Sequence, residues 1–247
     1  MKSKLLSFIS VAVLLILWKI VSLVLGAEII LPSPEKAFFA LVNLMREESF
    51  LSHVLYTVKR GALGFILSAG LALVVGIAAG ENRFFFTLIK PLLTVIKTVP
   101  VLSIVLLAII WLSTENVPVF VCFLVVFPLI SGNVIEGIRH VDPQLLEMAR
   151  IYRVSKRRII LQIYIPSLIP YLLAGLSTAA GVTWKAVIAA EVISMPRFGI
   201  GTGMQFAQIQ LDTAVLFAWT ITAVIISAVT ETLLLMPARF LPWRKGA

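Results

Sequence analysis

The chain has 247 residues, of which 60% are apolar and 13% charged, with a mean hydropathy of +1.04. That balance excludes an ordinary soluble domain, and several spans of about 20 residues each consume nearly the whole length, leaving no room for a soluble catalytic domain. The formal charge of +9 would suggest nucleic acid in a soluble chain. Here the lysines and arginines sit mainly at the ends of apolar runs, so the charge reports membrane topology and no nucleic-acid partner is expected.

Six apolar runs follow one another, at about 5–25, 61–79, 84–112, 117–135, 163–190 and 213–236. They are continuous rather than alternating and longer than the roughly ten residues of a barrel strand, so about six transmembrane helices are expected, an all-α integral membrane fold in a single domain spanning 1–247. The first run has a basic start and small residues near Ala27, as a cleavable signal does. It continues past Trp18 and Lys19 to Leu25, longer than a signal core, which favours a retained helix.

The following loop, "LPSPEKAFFALVNLMREE", reads as an interfacial helix capped by Ser33, with Pro34 in its first position and Phe38, Leu41, Val42 and Met45 on one face. In the second run Gly61, Gly64, Gly70 and Gly76 permit close helix approach. The third contains Pro91 and Pro100, which predict a broken helix facing protein or a pathway. Cys122, the one cysteine, lies inside the fourth run, where it reads as core packing.

Between the fourth and fifth runs the chain turns basic, at "EMARIYRVSKRRIILQIYIP". Asp142 can cap a helix beginning at Pro143 and running to about Tyr152, with Leu145, Leu146, Ala149 and Tyr152 on an apolar face, and Gln144, Glu147 and Arg150 on others. It is too short to span. Ser155 can cap the next helix, whose first turn carries Lys156, Arg157 and Arg158 and which Pro166 should bend. A solvated basic loop would account for the charges alone; an apolar face on a surface helix is what a docking site for another protein requires.

The positive-inside bias places both termini and this elbow in the cytoplasm, with Lys2, Lys4, Arg83, Lys90, Arg139, Arg239, Arg244 and Lys245 on the same side. Lys36, Arg46 and Arg197 fall on the other side, with Lys59 and Arg60 at the mouth of the second span.

Glu147, Ala149, Ile163 and Pro166 match the cytoplasmic signature of ABC importer permease subunits, Glu-Ala-Ala, three residues, Gly, nine residues, Ile-x-Leu-Pro. The chain resembles the branch serving nitrate, sulfonate, taurine, bicarbonate and certain vitamin precursors, through "ILPSP", "VDPQLLEMAR", "WKAVIAAEVI" and "FGIGTGM" as well. The resemblance covers nearly the whole chain. It implies the type I importer permease fold and a coupling region at about 138–162 that seats in an ATPase subunit, with Asp142, Glu147, Ala149, Arg150, Arg153, Ile163 and Pro166 as its contact residues.

The implied partners are a second permease copy forming a homodimer, two cytoplasmic ATPase subunits that bind ATP and Mg, and an extracytoplasmic substrate-binding protein. The implied location is the cell inner membrane. Two positions depart from the signature: Arg153 stands where the family has glycine, and Ile165 where it has leucine. A left-handed backbone at Arg153 would cost about 1–2 kcal/mol; otherwise the turn differs.

Lys185 lies inside the fifth run, at an insertion cost on the order of 3 kcal/mol. It is either a cationic group on an anion path or a snorkelling or internally paired lysine. Trp184 and Glu191 join it as candidates for the substrate path, against packing roles or, for Glu191, an outer gate; Glu231 in the last run is treated likewise, as packing or gate. Trp111 reads as an interface or packing aromatic, or one lining a cavity. The chain contains no His-Glu-x-x-His, Gly-x-Ser-x-Gly or Walker lysine motif, and His53 and His140 fall in different loops, so no catalytic residue and no metal site is expected. An ion-coupled secondary transporter is the rival class; it needs midplane carboxylates and often inverted repeats.

Overall fold

A computed structural model describes residues 2–239, and among them the chain is helical. The terminal charges Arg244 and Lys245 lie outside the described residues. All six apolar runs fold as helix. Helix α1 is Lys2–Leu25, α2 Pro34–Leu44, α3 Phe50–Glu81, α4 Arg83–Thr98, α5 Val101–Trp111 and α6 Val117–Arg139. Then come α7 Pro143–Ile151, α8 Lys156–Ile159, a π-helical turn Ile160–Tyr164, α9 Ile165–Ser194, α10 Ile200–Ile209 and α11 Thr213–Arg239.

Four continuous helices are long and apolar enough to span, namely α3, α6, the run from Lys156 to Ser194, and α11. A fifth span is the pair α4 and α5, bent by 97°, and α1 contributes the apolar stretch Ile9–Leu25.

The centre of the bundle is α3 against α6. Small residues recur every fourth position on α3, at Gly64, Ser68, Ala72, Gly76 and Gly80, and larger ones recur at the same interval on α6, at Cys122, Val126, Ile130, Val134 and Ile138, all buried except the half-buried Gly80. Two rows inclined alike interdigitate as ridges and grooves. The approach is close enough that a Cβ at Gly64 would stand 2.7 Å from Cys122 Cβ, and one at Gly76 2.6 Å from Val134 Cβ. Ser68 fits the seam by donating its hydroxyl to the Gly64 carbonyl at 2.7 Å and the Phe123 carbonyl at 3.1 Å. Gly70 faces open space instead.

Three local expectations change. The third span breaks at Pro100 and not at Pro91, which sits inside an uninterrupted α4. The steric push of a proline on the residue before it is fully expressed at Val99 (ψ 128°), and Pro100 stays extended too (ψ 132°), so two successive residues redirect the chain. At Pro91 the cost is only a lost hydrogen bond.

In α2, Ser33 does cap, accepting from Lys36 N at 3.4 Å. The buried face, however, is Ala37, Leu41 and Leu44, the two leucines in one cluster with Trp219 of α11, while Phe38 and Met45 are exposed. Arg60, placed by its sequence position at a membrane mouth, lies on the third turn of α3 and is buried.

Candidate functional site

The elbow is built by its caps. Asp142 Oδ1 accepts from Gln144 N at 2.8 Å, and Pro143 occupies the first helical position. At the other end Val154 N donates to the Ala149 carbonyl at 2.9 Å and Arg153 N to the Arg150 carbonyl at 3.1 Å. This pair of bonds is a Schellman motif, which requires a left-handed residue between them. That residue is Arg153, with φ 49°. The arginine therefore adopts the conformation that the glycine of the family signature would supply without strain.

Alternate sides of α7 carry different tasks. Ala149 is buried and Leu146 half-buried, whereas Leu145, Met148, Ile151 and Tyr152 are exposed, the last two by 77% and 75%. Of the sequence-expected face Leu145, Leu146, Ala149 and Tyr152, three residues, Leu145, Ala149 and Tyr152, line one cavity together with Met148. Glu147 and Arg150 are exposed and form no ion pair among the described residues. A cavity of 240 Å³ separates α7 from the following helix, lined by Met148, Ala149, Tyr152, Val154 and Ile163 among others.

Ser155 stands in the N-cap position of α8, but its hydroxyl makes no capping bond; its carbonyl accepts from Arg158 N and Ile159 N. Pro166 does not end the helix. The π turn immediately before it shifts the backbone pairing, with Ile165 N donating to the Ile160 carbonyl, and the helix continues to Ser194.

At the opposite end of the bundle lies a polar cluster that sequence reasoning missed. Glu191 on α9 is wholly buried and accepts from Thr57 Oγ1 at 2.8 Å, Arg60 Nη1 at 2.7 Å and Gly201 N at 3.1 Å. Thr57 Oγ1 accepts in turn from Ile200 N at 2.8 Å. The carboxylate and the hydroxyl together cap the N-terminus of α10, where backbone N–H groups favour negative charge.

Arg60 also donates to the Phe198 carbonyl at 2.6 Å and to Glu115 in the turn between α5 and α6. Burial would raise the Glu115 carboxyl, but the Arg197 N–H, at 2.9 Å, and the Arg60 guanidinium outweigh it and hold the group below its usual range. Four segments are tied by this one cluster. Gly199 and Gly201 in "FGIGTGM" are the places where the α10 backbone meets the Glu191 side chain, with a Cβ on Gly199 reaching 2.7 Å from its carboxyl carbon. In the sequence Arg60 stands just before the apolar run that begins at Gly61 and gives no sign of its partner on α9.

Of the three candidates for the solute path, Glu191 is therefore occupied by protein donors and presents no free oxygen. Lys185 and Trp184 lie together on a cavity of 410 Å³ between α9 and α11. Lys185 is exposed on that side and has no carboxylate within ion-pair distance among the described residues. Trp184 is buried, its ring against Gly61, and its indole N–H has no hydrogen-bond partner among the described residues.

Residues 72–238 match the family of binding-protein-dependent transport system inner membrane components. The chain belongs to this family. Among similar proteins, SsuC of Bacillus subtilis (strain 168), a permease named for aliphatic sulfonates transport, is 28% identical over 238 residues, covering 95% of the present permease and 86% of that protein. The nitrate import permease protein NrtB of Synechococcus elongatus is 29% identical over 192 residues, 73% of this chain and 68% of its own length. The bicarbonate transport system permease protein CmpB from the same species is 31% identical over 146 residues, 59% of this chain and 52% of its own. The permease thus falls in the nitrate, sulfonate and bicarbonate branch of ABC importer permeases and is a membrane-spanning transport subunit.

Proposed function

We propose that the permease forms the solute path of an ATP-driven importer, as a homodimer with two cytoplasmic ATPase subunits at its elbows and an extracytoplasmic substrate-binding protein at the opposite mouth. Both termini and the elbow lie in the cytoplasm. ATP and Mg are held by the ATPase partners. The observation that carries the reading is the elbow itself: a helix pinned at both ends by caps, with a row of exposed apolar side chains and, beside it, Glu147 and Arg150 without ion-pair partners among the described residues. A rigid exposed helix of this kind transmits a push, because Arg153 and Val154 fix its angle to the spanning helix that follows.

In this mechanism ATP-driven approach of the two ATPases moves the two elbows together. Each elbow drives the helix running from Lys156 to Ser194, whose far end carries Glu191 and so reaches α3, α10 and the turn at Glu115. Closure at one face thereby opens the other. Lys185, in the last third of that helix and six residues before Glu191, lines the path and favours an anion. The relatives named for sulfonate, nitrate and bicarbonate transport agree in the sign of charge.

Reconstitution with the ATPase and binding protein of the same system tests the proposal. Solute uptake should require ATP and the binding protein, and should persist when proton and sodium gradients are collapsed. Uptake driven by an ion gradient without ATP would replace the importer with an ion-coupled transporter.

A further inference from the structure

A second polar region lies at the elbow end of the bundle, away from Lys185 and from the Glu191 cluster. Between α4 and α6 is a groove of 330 Å³, whose walls carry Lys90 and Lys97 from α4 and Arg139, His140 and Glu136 from α6. We propose that this groove is a binding site for an oxyanion, a sulfate-like or phosphate-like group.

Four observations support it. First, the lysines point inward. Lys90, Leu93, Thr94 and Lys97 are spaced at three and four, so they form the one face of α4 that lines the groove. On the rest of α4 Leu88, Leu92 and Val95 are exposed, by 65%, 53% and 57%. Lysines present only as topology signals would extend away from the neighbouring helix toward the headgroups.

Second, the positive charge runs in depth. Arg139 lies at the end of α6, its guanidinium 3.5 Å from the centre of the Phe86 ring, with Lys90 near the same ring. Lys97 lies beside Gly132, where an added Cβ would come within 3.4 Å of its Nζ. Seven residues of α6 separate these levels, about 10 Å along the helix.

Third, the charges are uncompensated: among the described residues none of Lys90, Lys97 and Arg139 has an ion-pair partner, and Glu136 is the only carboxylate on the wall. Fourth, Gly132 keeps the deep end open where a side chain would meet Lys97. Two ammonium groups and a guanidinium on the walls of one groove offer charge-assisted bonds to an oxyanion.

The same chemistry suits a free anion leaving the path and a lipid phosphate resting at its mouth, and the test separates the two. Full-length permease is placed in nanodiscs of phosphatidylcholine alone, and equilibrium binding of radiolabelled sulfate is measured. Saturable binding is expected, weakened on the order of tenfold in Lys97→Gln and similarly in Lys90→Gln, since each loses a charged hydrogen bond. Binding should strengthen in Glu136→Gln. Both lysines are exposed, so the glutamine variants keep the fold, which an unchanged thermal unfolding midpoint verifies.

Repeating the measurement with phosphatidylglycerol in the disc assigns the source. Competition identifies the phosphate of an anionic lipid as the resident oxyanion, and unchanged sulfate binding identifies a soluble one. Absence of saturable sulfate binding in both discs, or equal binding in wild type and the two lysine variants, overturns the proposal. Because the assay uses neither ATP nor partners, its failure is distinct from failure of the importer reading, which ATP-driven uptake alone decides.

Discussion

Replacing Glu191 by alanine should be the most destabilising single change in the permease. The carboxylate is wholly buried and takes three kinds of donor: the Arg60 guanidinium, the Thr57 hydroxyl and the Gly201 N–H. Its removal leaves Arg60, 5% exposed, with only the 45% exposed Glu115 as counter-charge. It also leaves the first turn of α10 without its charge and the Gly201 N–H without an acceptor.

Breaking a buried ion pair from one side costs about 3–5 kcal/mol, and for a chain of this length each kcal/mol lowers the midpoint by about 2–4 °C. A fall of roughly 10 °C or more is expected. Cys122 provides the assay, because it is the one cysteine and is buried: a thiol-reactive fluorophore in detergent reports unfolding directly. In the double variant Glu191→Leu with Arg60→Met, both charges leave together, and much of the loss should return. A Glu191→Ala midpoint within about one degree of wild type would refute the reasoning, since the cluster would then carry no appreciable stability.

Arg153→Gly should raise the same midpoint by a few degrees, in keeping with about 1 kcal/mol of left-handed strain relieved. ATPase co-purification should be unchanged; its loss with stability intact would instead assign Arg153 a direct partner contact. Glu115 adds a pH dependence of fixed sign. Its folded-state pKa is depressed, so its contribution is present above the unfolded carboxylate value of about 4.3 and is lost as pH falls below that through the folded value; midpoints measured from neutral to acid pH should fall more steeply in wild type than in Glu115→Gln. Lys185→Met should lower ATP-driven anion uptake while leaving the midpoint unchanged, and a cysteine at 185 in a Cys122→Ala background should react with water-soluble thiol reagents without ATP. Unchanged uptake together with an unreactive thiol would place the residue in packing.

Local chemistry was legible in the sequence. The apolar runs gave the helices, and Ser33 and Asp142 gave true caps because an N-cap is decided by the residue and its next two or three neighbours. The glycine position at Arg153 announced a left-handed turn that only backbone bonds could verify. What sequence did not reveal depended on contacts distant along the chain. Arg60 and Glu191 are 131 residues apart, and each alone reads as a charge near a helix end. The every-fourth-residue match of Gly64 to Gly80 with Cys122 to Ile138 is visible only when the two helices are set side by side. Pro91 and Pro100 look equivalent in one dimension, and it is the extended backbone at Val99 that separates a break from a tolerated proline. The π turn before Pro166 has no sequence marker beyond the proline that it accommodates.

The central claim, that the elbow receives the force of a partner ATPase, is tested most directly by charge reversal at Glu147. That residue is exposed and without an ion-pair partner among the described residues, so Glu147→Arg leaves the permease fold intact. A mismatched charge at a docked surface costs several kcal/mol of association. The measurement is the amount of ATPase subunit that co-purifies with the variant, at a permease unfolding midpoint equal to wild type. The account predicts that co-purification falls at least tenfold and that ATP-driven uptake is lost with it; full co-purification with undiminished uptake would contradict the coupling role of the elbow.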